Sequence, residues 1–517
     1  MPTTLPKANA LEPTSLLKHF FILNVIVWMG LAGWISLLEG TTRFMLPFQH
    51  NDAAEMVQQA VEQARSELTL ESLRAVSEEL WALASLTSAE RFINSRLPEH
   101  GLFYATMPRA NQVLMLVHVV LASFCMLLGG LQFWPAFRKR FMRAHRAVGA
   151  LYILTVPPAI VAVMVYMALT APHNIYDHLL AWIALWVFAT LALVSIAMAV
   201  RALRAKRIFE HQAWMALSFG CLAVAPFLRL NWVFLAWIFP DIDQETLNLV
   251  TLSLMLPQTL LLAWGLVMVN RQFERRMIQR KPTRLAQQAS ALFMALKWPL
   301  TGASLMLLLI NAFWALSGGT LATIPASANI MPQGFLLAEA HALANHRLAL
   351  SGMVIGLGAA FPLAVRLLLS LLQTAPGAKS VGFGHESTAL VLTAMVGGLG
   401  SMAIGNAIGL QPDRTLLSGG AMWWVNGLCV VFFGGLTGYF LLKRQAPLAK
   451  EMLVFLLCIL PFPALFLTTS AVAAHLPWSA VYLEAGQGLI VPAGFSGGLL
   501  FLAALHMVFS QATREYN

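Results

Sequence analysis

Uncharged, mostly apolar segments recur along almost the whole of this 517-residue chain. A helix of about 20 apolar residues spans the hydrocarbon of a bilayer, so each segment predicts one membrane span. Twelve such spans are expected, near residues 18–39, 112–135, 146–170, 174–200, 212–238, 247–269, 292–317, 346–373, 387–410, 417–442, 451–474 and 489–510. The pattern predicts an all-α fold, a polytopic membrane helical bundle of about 12 transmembrane helices.

The composition excludes a soluble globular protein. Apolar residues make up 58% of the chain and charged residues 11%, whereas about a quarter of a soluble protein is charged. The net charge of +10 is spread over short runs between apolar segments, which indicates membrane orientation and no nucleic-acid partner. The cysteines lie within apolar runs without metal or disulfide spacing, so we expect four buried thiols, at Cys125, Cys221, Cys429 and Cys458.

The basic residues fix an expected orientation. Runs of Lys and Arg fall in alternate connections, at residues 138–146, 201–207, 271–284 and 443–450. Basic connections remain on the cytoplasmic side of a membrane. We therefore predict a multi-pass protein of the bacterial cytoplasmic (inner) membrane, with both termini in the cytoplasm and membrane lipid as its surroundings.

The connections also divide the chain. We predict an N-terminal six-helix module over residues 1–270, a basic cytoplasmic linker over 271–290 and a C-terminal six-helix membrane module over 291–517. A Glu-rich insertion at 44–111 has apolar residues at helical spacing and predicts two or three external amphipathic helices, one opened by a capping box at 87–90. It is either a cap over helix ends or a docking face for a redox partner.

Four histidines occur at ordered depths in consecutive spans of the first module. His118 and His178 lie about two turns in from the external side, and His145 and His211 open their spans on the cytoplasmic side. Two imidazoles from facing helices are the arrangement that binds a haem iron in a bundle. The spacing predicts a dihaem four-helix core, although a histidine at a helix end is also a common interfacial anchor.

Three arginines accompany these histidines. Arg229 lies 18 residues after His211, so it is roughly 27 Å further along a helix and level with the external layer. A haem propionate there would balance its charge. Arg143 and Arg146 bracket His145 and are candidates for the same role on the cytoplasmic side, although positive-inside anchoring also explains them.

The residues that follow His118 carry a resemblance. The run LGGLQFWPAFRKRFMRAHRAVGALY, then DHLLAW, then EHQAWMALSF and FLRL resembles a bacterial integral-membrane family, domain of unknown function 2306, over residues 15–270. The four-histidine layout is similar to that of the cytochrome b-561 group of transmembrane dihaem reductases. That likeness implies two haem b groups with axial pairs His118–His178 and His145–His211, and transmembrane electron transfer by an oxidoreductase.

The chain has no nucleotide-binding loop and no flavin domain, so it is not expected to take hydride from a nicotinamide. The donor and acceptor stay open, because no donor-site signature of the cytochrome b-561 group is recognisable. The donor would be a quinol, a small soluble reductant or a partner protein. The second module has polar residues that we expect to be structural or interfacial, with Glu339 and His346 as a candidate proton or quinone site; the others are His341, His385, His475 and His506. The rival function is a secondary transporter with an intramembrane His/Arg pathway for protons or substrate.

Overall fold

The structure, a computed structural model, describes residues 13–175, 178–273, 277–279, 291, 294–373, 384–409, 414–512 and 514–516. Its first half contains the helices α1 (Pro13–Thr41), α2 (Leu46–Gln49), α3 (Ala53–Glu67), α4 (Leu70–Val76), α5 (Glu78–Ala84), α6 (Ala89–Ile93), α7 (Leu97–Thr106), α8 (Arg109–Gln132), α9 (Pro135–Arg140), α10 (Met142–Leu169), α11 (His178–Arg204), α12 (Ile208–Leu222), α13 (Val224–Ile238) and α14 (Gln244–Phe273). A 3₁₀ turn, Pro172–Asn174, precedes α11.

The second half contains α15 (Lys297–Ser317), α16 (Thr320–Thr323), α17 (Gln333–Asn345), α18 (Arg347–Gln373), α19 (His385–Ile408), α20 (Arg414–Leu442), α21 (Ala446–Ile459), α22 (Phe462–Ala473), α23 (Ala480–Glu484), α24 (Gln487–Gly497) and α25 (Leu500–Ala512), with a 3₁₀ turn at Pro325–Asn329. Two three-residue strands, β1 (Met277–Gln279) and β2 (Arg514–Tyr516), pair antiparallel. Most of the predicted linker 271–290 lies outside the described residues.

The predicted all-α membrane bundle is confirmed. Within the described residues, eleven helices are long and apolar enough to cross a membrane, and the bent pair α12 and α13 makes twelve if it is one span. Each of the twelve predicted segments coincides with one of these helices or with the pair. All four cysteines are buried and free of disulfides, as their positions predicted.

The fifth predicted span is not the continuous helix 212–238 that its composition indicated. It breaks after Leu222 and bends by 54°. Pro226 lies in the first turn of α13. In a continuous helix its ring would collide with the carbonyl four residues earlier, and it has no N–H to donate. The helix therefore ends at Leu222 and restarts at Val224.

Consecutive spans run in opposite directions, so the bundle has two distinguishable ends. We call the end with the connections 133–141, 205–207 and 443–445 the basic end, because it holds the arginine-rich runs. We call the opposite end, where α2 to α7 lie, the cap end. These names are used below for depth along the spans.

The insertion forms six short helices, α2 to α7, rather than the two or three predicted. Their apolar residues share one buried cluster with α13, which includes Phe92, Leu228 and Trp232. A capping box forms at Thr69–Ser72, whereas Ser88 makes no side-chain capping bond at the start of α6. The insertion is thus packed onto the spans, consistent with the cap interpretation.

Candidate functional site

At the basic end, His145 and His211 occupy the first turns of α10 and α12. The structure brings the two imidazoles close enough to interact electrostatically, and Arg138 and Arg146 act on His145 in the same way. The pair that the histidine spacing predicted for this end is therefore brought together. Arg143 and Arg146 are exposed, in positions that suit both anchoring and binding of an anionic group.

The ring of His211 has a fixed orientation. Its Nδ1 lies 3.0 Å from the carbonyl oxygen of Ala199 on α11. Because a carbonyl only accepts hydrogen bonds, Nδ1 is the protonated nitrogen and Nε2 retains its lone pair. A histidine that donates Nδ1–H to a backbone carbonyl is oriented as metal-ligating histidines are.

His118 on α8 is held in the same manner at the cap end. Its Nδ1 lies 2.9 Å from the carbonyl oxygen of Ala159 on α10, so its Nε2 is also the unprotonated nitrogen. Residues next to it, including Val119, share an apolar cluster with Trp182 and Trp186 of α11. His178 begins α11, but its side chain lies outside the described residues, so the predicted His118–His178 pair is not tested.

Two buried polar atoms near His145 lack hydrogen-bond partners. They are Nδ1 of His145 itself and Nε2 of Gln132, at the end of α8. Gly149, one turn after His145, would place a Cβ 3.0 Å from Oε1 of Gln132, so the Gln132 side chain packs closely against this part of α10. Buried polar atoms in native structures normally have a partner, and a haem with axial imidazoles fits this donor set at the basic end.

An aromatic core separates the two histidine layers. Tyr152 and Phe219 are almost fully buried, and the hydroxyl groups of Tyr152 and Ser218 are 3.3 Å apart. A Cβ at Gly129 would lie 2.5 Å from the Phe219 ring, so this position requires glycine for α8 to approach α12. Tightly packed aromatic side chains therefore fill the space between the two levels of histidines.

Arg229 has a protein partner at the cap end. Its Nε forms an ion pair with Oε1 of Glu79 on α5. Burial acts to raise the pKa of Glu79, but the Arg229 guanidinium and Arg43 hold it below its ordinary value. The negative charge that we expected a haem propionate to supply to Arg229 is therefore supplied by Glu79 of the insertion.

Glu39 of α1 completes this arrangement and was missed at the sequence level. Its Oε1 accepts hydrogen bonds from Ser77 Oγ at 2.8 Å and from the backbone N–H of Glu79 at 2.7 Å. Arg43 lies 3.5 Å from its other oxygen. A carboxyl within an apolar first span was the available signal, because such a group needs a partner inside the protein.

Most polar residues singled out in the second half lie at the surface. His341, His346, His385 and His475 are exposed, and His506 is half-buried, which agrees with the interfacial roles expected of them. Glu339, by contrast, is fully buried. Among the described residues no group of three or more His, Cys, Asp or Glu side chains could hold a metal ion.

Residues 115–267 match a family model described as Predicted membrane protein (DUF2306). The predicted resemblance to a membrane family of unknown function is confirmed over this stretch. The stretch contains all four histidines and Arg229 and covers less than a third of the chain. No curated protein and no solved structure matches, and the likeness to the cytochrome b-561 group stays a prediction.

Proposed function

We propose that the chain is a haem-b-binding electron carrier, with two haems and axial pairs His145–His211 and His118–His178. The observation that carries the proposal is the fixed orientation of His118 and His211, which leaves Nε2 of both rings free. The electrostatic interaction between His145 and His211 supports the pair at the basic end. Bound haem supplies a one-electron redox centre whose potential depends on axial ligands and burial.

The surrounding residues have definite roles in this proposal. The carbonyls of Ala159 and Ala199 orient the rings and raise their basicity as ligands. Arg138 and Arg146 supply positive charge beside His145, which favours a reduced centre and pairs with propionates. The packed core around Tyr152 and Phe219 excludes water between the layers. The chain's own contribution is binding, orientation and electrostatics.

The orientation is part of the same proposal. Basic connections lie in the cytoplasm of a bacterium by the positive-inside rule, which puts the basic end and both termini inside and the cap end outside. Electrons would then cross the inner membrane between the two layers. The donor is a quinol or a small reductant, and a redox partner would dock on the external insertion.

The purified full-length chain from haem-replete cells is expected to be red and to contain two haem b groups. Its Soret band should shift on dithionite reduction, because low-spin haem with two imidazoles changes its spectrum with oxidation state. Extraction of the haem and its quantification per chain is the measurement. A colourless preparation would contradict the proposal and favour the transporter.

The variant His211→Ala is expected to retain one of the two haems, because it removes one axial ligand at the basic end only. His475→Ala is the matched control, since His475 is exposed in the other half, and should retain both. Two haems in His211→Ala would refute the ligand assignment even if the chain binds haem.

A further inference from the structure

A buried carboxyl group lies at the cap end of the second half. Glu339 on α17 has no exposed surface. Its Oε2 accepts a hydrogen bond from the backbone N–H of Thr320 at 2.5 Å, and its Oε1 accepts one from the Thr320 hydroxyl at 3.0 Å. At Gly319, where φ is +110°, a Cβ would lie 2.8 Å from Oε2. Glycine therefore lets the carboxyl group approach the turn between α15 and α16.

The groups that act on this carboxyl are neutral: the N–H and hydroxyl of Thr320 and the indole of Trp314. α17 packs against α16, α18, α19 and α20, and α16 has no titratable side chain. On α17 and these neighbouring helices, the charged or titratable residues at the same end are Arg347 and Arg414, which begin α18 and α20, and the exposed His341 and His346. Arg366, His385 and Glu386 lie at the basic end, where Arg366 pairs with Glu386 at 2.9 Å.

No cation is among the described groups that act on this carboxyl, so we expect it to exchange its proton near neutrality. Burial raises the pKa of Glu339 to about 7, although the Thr320 and Trp314 hydrogen-bond donors act against this rise. The protonated and ionised forms are then both populated at physiological pH. A buried carboxyl with this property is a candidate for proton binding.

Buried polar atoms without partners continue from Glu339 into the bundle. On α15 this atom is Asn311 Oδ1, about one turn deeper than Trp314, whose indole N–H acts on the carboxyl. On α20 they are Trp423 Nε1 and Asn426 Oδ1. The rings of Trp314 and Trp423 stack with centroids 5.1 Å apart, so the two helices present these atoms in one region.

The amide of Asn426 connects this region to a cavity. Its Nδ2 donates to Ser401 Oγ at 3.3 Å, and Ser401 donates to the carbonyl of Trp423 at 2.7 Å. Asn426 also lines a cavity of about 90 Å³ with Phe462 and Leu180. A cavity volume of about 10–15 Å³ holds one water molecule. Bound water normally satisfies buried polar groups that the protein leaves unpaired.

We propose that Glu339 is the proton-binding group of a hydrated site in the second half, whose water molecules bind Asn311 and Asn426. In this exchange the proton leaves a carboxyl oxygen for a bound water molecule, and the carboxylate keeps its two hydrogen bonds from Thr320. The reverse transfer restores the acid. The proposal does not rest on the haem proposal, because Glu339, Asn311 and Asn426 all lie in the second half, and the first half contributes only apolar cavity-lining residues such as Leu180.

Infrared difference spectroscopy on the full-length protein in lipid nanodiscs tests the proton-binding group. Lowering the pH from about 8 to about 6 should produce the carbonyl stretch of a protonated carboxyl, with a midpoint at about 7. Glu339→Gln should abolish this band, and Glu484→Gln, which changes an exposed carboxyl, should retain it. A band that persists in Glu339→Gln, or no band in the native chain, overturns the proposal.

Trp314→Phe provides a second readout if Glu339→Gln does not fold. It removes an N–H that favours the carboxylate, so the band should remain and its midpoint should move to higher pH. An unchanged midpoint would overturn the contact between the indole and the carboxyl on which the site depends.

Hydration is tested by radiolytic labelling in heavy-oxygen water, which oxidises side chains next to bound water. Trp314 and Trp423 are fully buried and should nevertheless incorporate the label. Phe219, which is fully buried and has no polar side-chain atom, is the buried control and should not. Absence of label at both Trp314 and Trp423 would refute the hydrated site.

Discussion

Replacing Gly427 by alanine is expected to prevent the second half from forming a stable bundle. Gly427 on α20 faces Gly398 on α19, and a Cβ at Gly398 would lie 2.7 Å from the carbonyl oxygen of Gly427; a Cβ at Gly427 would come closer still to the Gly398 carbonyl. The atoms in the way belong to helical backbone, which cannot rotate aside. The helices must separate, at a cost on the order of 3 kcal/mol.

The measurement is thermal stability and monodispersity of the full-length variant in mild detergent. Gly302→Ala is the control, because Gly302 is also within a span and a Cβ there meets nothing within 4 Å. Both substitutions favour helix formation locally, so a difference between them reports interhelical contact. A monodisperse Gly427→Ala protein with an unchanged Tm would contradict the expectation.

The expected effect is large because spans in a bilayer associate through close backbone approach rather than through exclusion of water. The glycines Gly397, Gly398 and Gly400 of α19 provide such an approach, because a Cβ at each of them would meet the backbone of a neighbouring helix. A Cβ at Gly397 would lie 2.6 Å from the backbone nitrogen of Leu357 on α18. α19 thus contacts two neighbouring helices through glycines on different faces.

The membrane spans could be predicted from the sequence because each is a local run of apolar residues with a required length. Counting residues along these runs placed His118, His145 and His211 at the depths that the structure shows. His178 was expected about two turns into its span, and it begins α11 instead.

The break before Val224 also has a local cause, Pro226. The prediction of one continuous helix followed the apolar composition and did not take this proline into account. In the insertion, polar and apolar residues alternate over short helices, so their number was underestimated and the capping box was placed at 87–90 instead of Thr69–Ser72.

The partners of buried charges could not be predicted in this way. Arg229 and Glu79 are 150 residues apart, and their contact exists only because α5 packs between α1 and α13. An arginine within an apolar span, such as Arg229, needs a negatively charged partner, and the insertion contains several glutamates. No local sequence pattern indicates which of them is the partner. Glu339 is likewise surrounded by groups from separate elements. These are the turn at Gly319 and Thr320 and Trp314, whose ring stacks on that of Trp423.

Substituting Arg229 by alanine is expected to loosen the insertion from the spans. The variant leaves the Glu79 carboxylate next to Glu39, with Arg43 as the cation that remains close to both. Removing one partner of a fully buried pair costs about 3–5 kcal/mol. Because 32% of the Arg229 side chain and 23% of the Glu79 side chain are exposed, solvent screening reduces the expected loss to about 2–3 kcal/mol.

Limited proteolysis of residues 46–106 in the full-length protein measures this loss. Local opening should increase by about 30-fold to 150-fold, since about 1.4 kcal/mol corresponds to a factor of ten. Arg65→Ala is the control: it breaks the Arg65–Glu99 pair between α3 and α7, whose side chains are 45% and 51% exposed. Exposed pairs contribute less than about 1 kcal/mol, so cleavage should change by only a few fold.

The double variant Arg229→Ala/Glu79→Gln separates charge from packing. Glutamine keeps the shape of Glu79 and removes the unbalanced carboxylate, so cleavage should return most of the way to the rate of the native chain. Arg229 also lies over the ring of Trp232, 5.4 Å from its centroid. If the double variant is cleaved as fast as Arg229→Ala, the lost contact with Trp232 accounts for the loosening, and the ion pair does not hold the insertion in place.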